Sequence, residues 1–147
     1  MQELVSHPDL QFHHIGMATH SIETDVQLLE YLGYTVEGSL FTDAEQGVNG
    51  CFMTGGGPRI ELICDMPGRT TVSGILKKGT KFYHLAYSVS NLSLVVNIVS
   101  SLRGLVVRKP LPSTAFNGRS VMFVAFRNNM LVEFIGYDDL TGSQEVS

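Results

Sequence analysis

Two histidines and two glutamates stand in matching, strand-like surroundings: His14 with Glu61, 47 residues apart, and His84 with Glu133, 49 residues apart. Each glutamate lies between apolar neighbours, Ile60 and Leu62 in one case, Val132 and Phe134 in the other. Side chains alternate across a strand, so such neighbours bury one face and aim the carboxylate at the opposite one. A carboxylate in so apolar a strand is costly unless something compensates it. The same event at both places asks for one explanation, and a metal ion supplies it. Two imidazoles and two carboxylates suit Zn, Co, Ni, Mn or Fe(II), and two carboxylates neutralise a divalent cation. In octahedral geometry the quartet leaves two positions for a bidentate substrate, which is the arrangement of a catalytic site rather than a structural one. The other histidines, His7, His13 and His20, read singly as hydrogen-bonded strand residues.

The elements that must position these four come from an internal repeat. Phe12-His13-His14-Ile15-Gly16-Met17-Ala18 aligns with Phe82-Tyr83-His84-Leu85-Ala86-Tyr87-Ser88 at an offset of 70, and Arg59-Ile60-Glu61-Leu62-Ile63 aligns with Leu131-Val132-Glu133-Phe134-Ile135 at 72. Between them each copy carries a helix. Ser21 caps a segment with Ile22, Val26, Leu29 and Leu32 on one face, and Asn91 caps 92–102. Gly33 and Gly104 are suited to close these helices. Further strands are expected near 35–41 and 105–109, then at Cys51-Phe52-Met53 and Phe123-Val124-Ala125. Gly55-Gly56-Gly57-Pro58 and Arg127-Asn128-Asn129 read as hairpin turns.

Each copy therefore reads as strand, helix and three strands. The expected fold class is α+β: two tandem βαβββ modules, 11–64 and 81–137, forming one curved mixed sheet around a metal site within a single domain, 1–147. The linker, 65–80, carries a short helical stretch at 72–78. On the first strand of each copy, His14 is expected to share its face with Phe12, Gly16 and Ala18, and His84 with Phe82, Ala86 and Ser88. The small residues leave room beside each imidazole, while Ile15 and Met17 turn toward the helices.

Apolar residues make up 44% of the chain and charged residues 16%, which fits a globular protein and neither a fibrous nor a disordered one. No apolar run approaches the length needed to span a bilayer. The polar, acidic start lacks the basic and apolar segments of a signal peptide. Cys51 and Cys64 have no framework spacing and read as buried free thiols of a reducing compartment, so a cytoplasmic location is expected. The net charge of −4 conceals a division: residues 1–65 carry ten acids and one base, Arg59, whereas 66–132 carry nine Lys or Arg and no acid. That basic block suits an anionic ligand, or else complements the acidic half. Nucleic acid fits poorly, because Trp is absent and no basic stripe interleaves with aromatics. The tails, 1–10 and 138–147, are polar and expected to be loosely held. Segment 92–102 is more apolar than one buried stripe requires, which points to a homodimer or else to deep burial within one chain.

With repeat and quartet in place, the chain resembles the vicinal oxygen chelate superfamily, which includes glyoxalases, extradiol dioxygenases and resistance proteins, over about 12–137. Six motifs look most like its methylmalonyl-CoA epimerase and glyoxalase-like branch: His13-His14-Ile15-Gly16, Glu45-Gln46-Gly47-Val48, Arg59-Ile60-Glu61-Leu62, Phe82-Tyr83-His84-Leu85, Ala115-Phe116-Asn117-Gly118-Arg119 and Val132-Glu133-Phe134. The resemblance implies metal-assisted proton abstraction beside a carbonyl, with a divalent ion (Co, Zn, Ni, Mn or Fe) on His14, Glu61, His84 and Glu133. Glu133 corresponds to the carboxylate that removes the proton, and Glu61 lies across the metal from it. A short acyl thioester such as methylmalonyl-CoA is the implied substrate. Gln46, Lys109, Asn117 and Arg119 are candidates to contact it, and Lys77 and Lys78 are further candidates for the phosphates of its carrier. A glyoxalase-type lyase acting on a hemithioacetal and a non-catalytic binding module are the alternatives within the superfamily. One position departs from the branch. Some epimerases carry a second glutamate three residues beyond the glycine of the Glu-Gln-Gly-Val motif, and here that residue is Gly50.

Overall fold

Alternating runs become strands and capped amphipathic runs become helices, in the order the repeat requires. The computed structural model describes residues 9–136. Tyr137 and almost all of both polar tails, with the expectations placed on them, lie outside the described residues. The elements are β1 (Gln11–Ala18), α1 (Ile22–Tyr31), β2 (Thr35–Asp43), β3 (Val48–Thr54), β4 (Ile60–Asp65), α2 (Thr71–Lys77), β5 (Phe82–Val89), α3 (Leu92–Ser101), β6 (Leu105–Pro112), a 3-10 turn (Thr114–Phe116), β7 (Ser120–Ala125) and β8 (Leu131–Gly136). Among the described residues no helix is long and apolar enough to cross a membrane.

The strands form one curved, mixed, eight-stranded sheet in the order β2-β3-β4-β1-β5-β8-β7-β6. Each half of that order is the other read in reverse, as a pseudo-twofold axis between β1 and β5 demands. Those two strands pair antiparallel and make the seam, while β1–β4 and β5–β8 are the parallel pairs. On one face, Met17, Cys51, Met53, Ile60 and Leu62 pack with Leu29 of α1, and Met122, Val124, Val132 and Phe134 pack with Leu92, Val95 and Val99 of α3. Leu62 and Val132, the apolar neighbours of the two glutamates, are thus buried under the helices, as the alternation requires. The opposite face holds the quartet. α2 covers one end of that face through Val72, and Phe116 of the 3-10 turn packs on it against Ala86 and Ile135.

Local chemistry sets the ends of the elements. The Ser21 side chain accepts a hydrogen bond from Thr24 N at 3.2 Å, and Asn91 Oδ1 accepts one from Ser93 N at 2.8 Å, satisfying donors that the first helical turns leave open. Asp65 does the same for α2, accepting from Val72 N and Ser73 N at 2.7 and 2.8 Å. Gly33 closes α1 with φ +99°. The expected counterpart, Gly104, does not have this conformation. After α3 the left-handed residue is Arg103, φ 58°, and Gly104 is required for space instead, because a Cβ there would lie 2.8 Å from both Val99 and Val124.

The seam also corrects the expected facing of the first strands. Between β1 and β5 the register slips at two places, so that His13 in β1 and Tyr83 in β5 are each an extra residue without a partner opposite. A bulge turns the local alternation by one residue. Phe12 therefore pairs with Tyr87, on the helix side, and Phe82 pairs with Met17. Neither Phe12 nor Phe82 shares the face of the histidine two positions on. They stand 45% and 57% exposed. The small residues behave as expected: Gly16 lies directly across from His84, and Ala86 across from His14.

Space around these small residues is measurable through stability. A Cβ on Gly16 would overlap the His84 ring, which is clamped among other buried groups, so G16A should destabilise the protein by about 1–3 kcal/mol. Gly74, inside α2 with nothing within 4 Å of a Cβ, is the contrast. G74A should stabilise by about 0.5–1 kcal/mol through helix propensity. Urea denaturation of both variants checks the pair, and equal shifts would contradict the packing described here.

Candidate metal centre

The sheet builds the quartet from two cross-strand rows. One runs Glu37–Phe52–Glu61–Gly16–His84 through β2, β3, β4, β1 and β5. The other runs Arg108–Phe123–Glu133–Ala86–His14 through β6, β7, β8, β5 and β1. Each row carries the glutamate of one copy and the histidine of the other, with the small residue between them. The four side chains are brought together, all buried, with one donor atom from each lying within 4.8 Å of the rest.

The distances describe a coordination polyhedron. His14 Nε2 lies 3.1 Å from Glu61 Oε1, 3.2 Å from Glu133 Oε1 and 3.1 Å from His84 Nε2. His84 Nε2 lies 3.6 Å from Glu61 Oε1 and 3.3 Å from Glu133 Oε1. Donors about 2.0–2.2 Å from one ion stand about 2.9–3.6 Å apart along octahedral or tetrahedral edges. Glu133 Oε1, although close to both imidazoles, makes no hydrogen bond among the described residues. A buried carboxylate oxygen in that position is one that a cation at the centre would satisfy. The donor set therefore fits a divalent cation.

Without a metal the quartet holds protons. Burial alone would push His14 down, but Glu61 and Glu133 beside it hold its pKa up to about 9. His84 is likewise raised, its burial outweighed by the same two carboxylates. Burial opposes ionisation of Glu61 and Glu133 too. The imidazoles nevertheless keep both below the usual carboxylate range, Glu133 at about 2. The stabilisation from His14 is complete below about pH 6.5 and is lost as pH rises through about 9. That from Glu133 is present above about pH 4.5 and is lost as pH falls through about 2.

The bulges add two residues that the alternating pattern hides. His13 Nδ1 lies 2.8 Å from His14 Nδ1. One of the two nitrogens must donate and the other accept. If His14 Nδ1–H donates, Nε2 of the same ring keeps its lone pair toward the carboxylates, the outer-shell arrangement that orients a metal-bound imidazole. Burial, His14 and Arg59 lower the His13 pKa to about 4, which leaves its ring neutral and able to accept. Tyr83, in the equivalent place of the second copy, stands edge-on to His84 at 4.5 Å between ring centroids. Burial and then Glu61 and Glu133 raise its phenol well above the ordinary value. Phe52 lies 5.3 Å and Phe116 5.9 Å from the His14 ring, and Phe123 lies 5.4 Å from that of His84, so the quartet is walled by aromatic rings.

The other expected site residues are more dispersed. Gln46 lines a cavity beside Tyr83, and its Nε2 donates to Asp43 Oδ2 at 3.0 Å. Asn117, with φ 56°, and Arg119 line a different cavity, beside His13. Arg119 Nε donates to Gly136 O at 2.8 Å, bracing the end of β8. Lys109 stands on β6, with its side chain outside the described residues. Lys77 ends α2 and lines a third cavity with His20, while Lys78 is exposed at the helix end. At Gly50 a side chain would press on the Phe41 ring and the Leu62 carbonyl. The buried carboxylate nearest that motif is Asp43, which also accepts from Ser113 Oγ of the other copy at 3.0 Å. The sequence reading missed His13, Tyr83, Arg69 and Arg108. Only the first two carried a visible signal, each preceding a quartet histidine.

Comparison with known proteins follows this geometry. Among solved structures, a hypothetical protein from Bacillus halodurans superposes with TM-score 0.75 at 23% identity, over 88% of this chain and 96% of that one. Methylmalonyl-CoA epimerase from Mycobacterium tuberculosis gives 0.71 at 18%, over 85% and 86%. A variant Streptomyces coelicolor methylmalonyl-CoA epimerase, in complex with 2-nitronate-propionyl-CoA, gives 0.66 at 21%, over 85% and 95%. At these identities the likeness is one of fold. No curated protein matches. The family model described as Glyoxalase/Bleomycin resistance protein/Dioxygenase superfamily matches residues 13–123, most of both repeats, and the chain belongs to that superfamily.

Proposed function

We propose that the protein is a divalent-metal-dependent isomerase that removes a proton next to a carbonyl, acting on a short acyl thioester such as methylmalonyl-CoA. The observation that carries this reading is the buried quartet, with its imidazole nitrogens 3.1–3.6 Å from the other donors and an oxygen of Glu133 left without a hydrogen bond. The similar fold of methylmalonyl-CoA epimerases supports the choice of substrate. His14, Glu61, His84 and Glu133 hold the ion. When bound, it supplies Lewis-acid stabilisation of the negative charge that develops on a carbonyl oxygen. Glu133 takes the proton from the neighbouring carbon, and Glu61, from the other copy, faces it across the centre. The aromatic wall of Phe52, Phe116, Phe123 and Tyr83 keeps water from the exposed charge. A homodimer accords with Leu94 and Val96, which α3 leaves exposed.

Solvent deuterium exchange into methylmalonyl-CoA tests this directly. Protein loaded with Co(II) or Zn(II) should exchange the hydrogen on the carbon beside the thioester carbonyl, and E133Q should slow that exchange by about 100-fold or more. Full exchange in E133Q would remove Glu133 as the base. Absence of exchange in metal-loaded wild type would move the activity to another chelating substrate, with hemithioacetals first.

Metal affinity carries its own pH signature. Binding at His14 Nε2 expels a proton that the metal-free site holds up to about pH 9. Apparent affinity should therefore strengthen as pH rises from 6 to 8.5, by about tenfold per unit for each proton expelled. Chelator competition at fixed ionic strength measures this. An affinity flat above pH 7 would mean that His14 has an ordinary pKa and is not held by the carboxylates.

A further inference from the structure

The two rows that build the quartet do not end alike. At the outer end of one stands Glu37, and at the pseudo-equivalent end of the other stands Arg108, 71 residues later. Beyond Phe52 and Phe123, also 71 apart, lie two cavities of similar size, about 270 and 250 Å³. The repeat thus makes two candidate chambers, one on each side of the quartet, and charge distinguishes them. The first holds two arginines and one carboxylate: Arg59 is already paired with Glu37, Nε to Oε1 at 2.9 Å, and holds the His13 carbonyl at 3.0 Å, while Arg119 donates to Gly136 O at 2.8 Å. The second is lined by Arg69 and Arg108, with no carboxylate in its lining among the described residues. Arg108 Nε is buried and makes no hydrogen bond among the described residues. Arg69 lies against Gly47, where any Cβ would overlap the guanidinium, so the glycine of the Glu-Gln-Gly-Val motif makes the space this arginine occupies. Val72 and Ile75 of α2 give the same chamber an apolar side, and its inner wall is Tyr83 and Phe123, whose rings both touch His84.

We propose that this second chamber, between α2 and β6, receives the anionic end of the substrate, with Arg108 and Arg69 as its charge partners and the aliphatic side chains of α2 against its carbon skeleton. The inference rests on the isomerase reading and adds to it which of two pseudo-equivalent chambers takes the substrate's charge, and through which arginines. A buried guanidinium N–H without an acceptor, as at Arg108 Nε, is costly, and a carboxylate or phosphate satisfies it with a charge-assisted hydrogen bond. Either oxyanion has that chemistry, and a substrate of this class carries both, on its acyl group and on its carrier.

Calorimetric binding to metal-loaded protein, with metal content measured in every sample, tests the assignment. Three probes separate the sources: methylmalonyl-CoA, propionyl-CoA, which keeps only the phosphates, and the methylmalonyl thioester of N-acetylcysteamine, which keeps only the carboxylate. R108Q should weaken methylmalonyl-CoA binding by about tenfold or more, R69Q by less, and R108K should restore much of the loss. R127Q, in the exposed turn after β7, should change nothing. If the carboxylate is the group held, the loss appears with the cysteamine thioester and not with propionyl-CoA; if the phosphates are held, the pattern reverses. Unchanged affinity of all three probes in both R108Q and R69Q, with wild type binding, overturns the inference alone. Metal-loaded wild type that binds none of the three overturns the substrate reading on which it rests.

Discussion

Two carboxylates and two imidazoles packed within 4.8 Å of one another, all buried, constrain everything around them. Removing four such groups from water costs several kcal/mol per ion unless each charge meets its opposite. In the metal-free protein a proton on His14, whose pKa is held up to about 9, supplies an opposite, and His84 is raised in the same direction; a divalent cation replaces this with one central charge. Both solutions require the donor atoms to converge, so the side chains cannot relax away from one another. The sheet enforces that convergence, because each glutamate and the opposing copy's histidine lie in one hydrogen-bonded cross-strand row.

The seam between β1 and β5 is where this constraint acts on the backbone. Two histidines reaching toward a common point across neighbouring strands need vacant space opposite, which Gly16 and Ala86 provide. The bulges at His13 and Tyr83 twist the seam and turn an extra ring toward each quartet histidine. Duplication then yields more than a symmetric site. Because residues beyond the quartet are not bound to match, one flank presents Glu37 paired with Arg59, and Arg119 bonded to the Gly136 carbonyl, while the other presents Arg69 and Arg108 with no carboxylate among the described residues. The half-domain charge division appears here as local asymmetry, and Lys81 paired with Asp25 at 2.6 Å shows that the halves also complement each other elsewhere.

Much of this was legible in the sequence because it depends on periodicity and on matched positions. The strand–helix–three-strand order, the Ser21 and Asn91 caps, the hairpin turns and the coming together of His14, Glu61, His84 and Glu133 all follow from the repeat. What was hidden depends on register. A bulge adds one residue, and His13-His14 and Tyr83-His84 look like ordinary alternation until the partner strand is known. That is why Phe12 and Phe82 were placed on the wrong face. Gly104 resembled a helix cap, but the left-handed turn fell on Arg103, and the glycine answers a steric demand from Val99 and Val124. Arg69 and Arg108 were equally hidden, since which bases of a charged half face a cavity is decided by the row each occupies.

The central claim is that these four side chains form one coordination centre. X-ray absorption on Co(II)-loaded protein, with the cobalt content of the same sample determined, tests it most directly. The account predicts one ion per chain with two imidazoles and oxygen donors in its inner shell, and loss of that ion in H84A but not in H20A. An ion bound with fewer than two imidazoles, or retained equally by H84A, would contradict it.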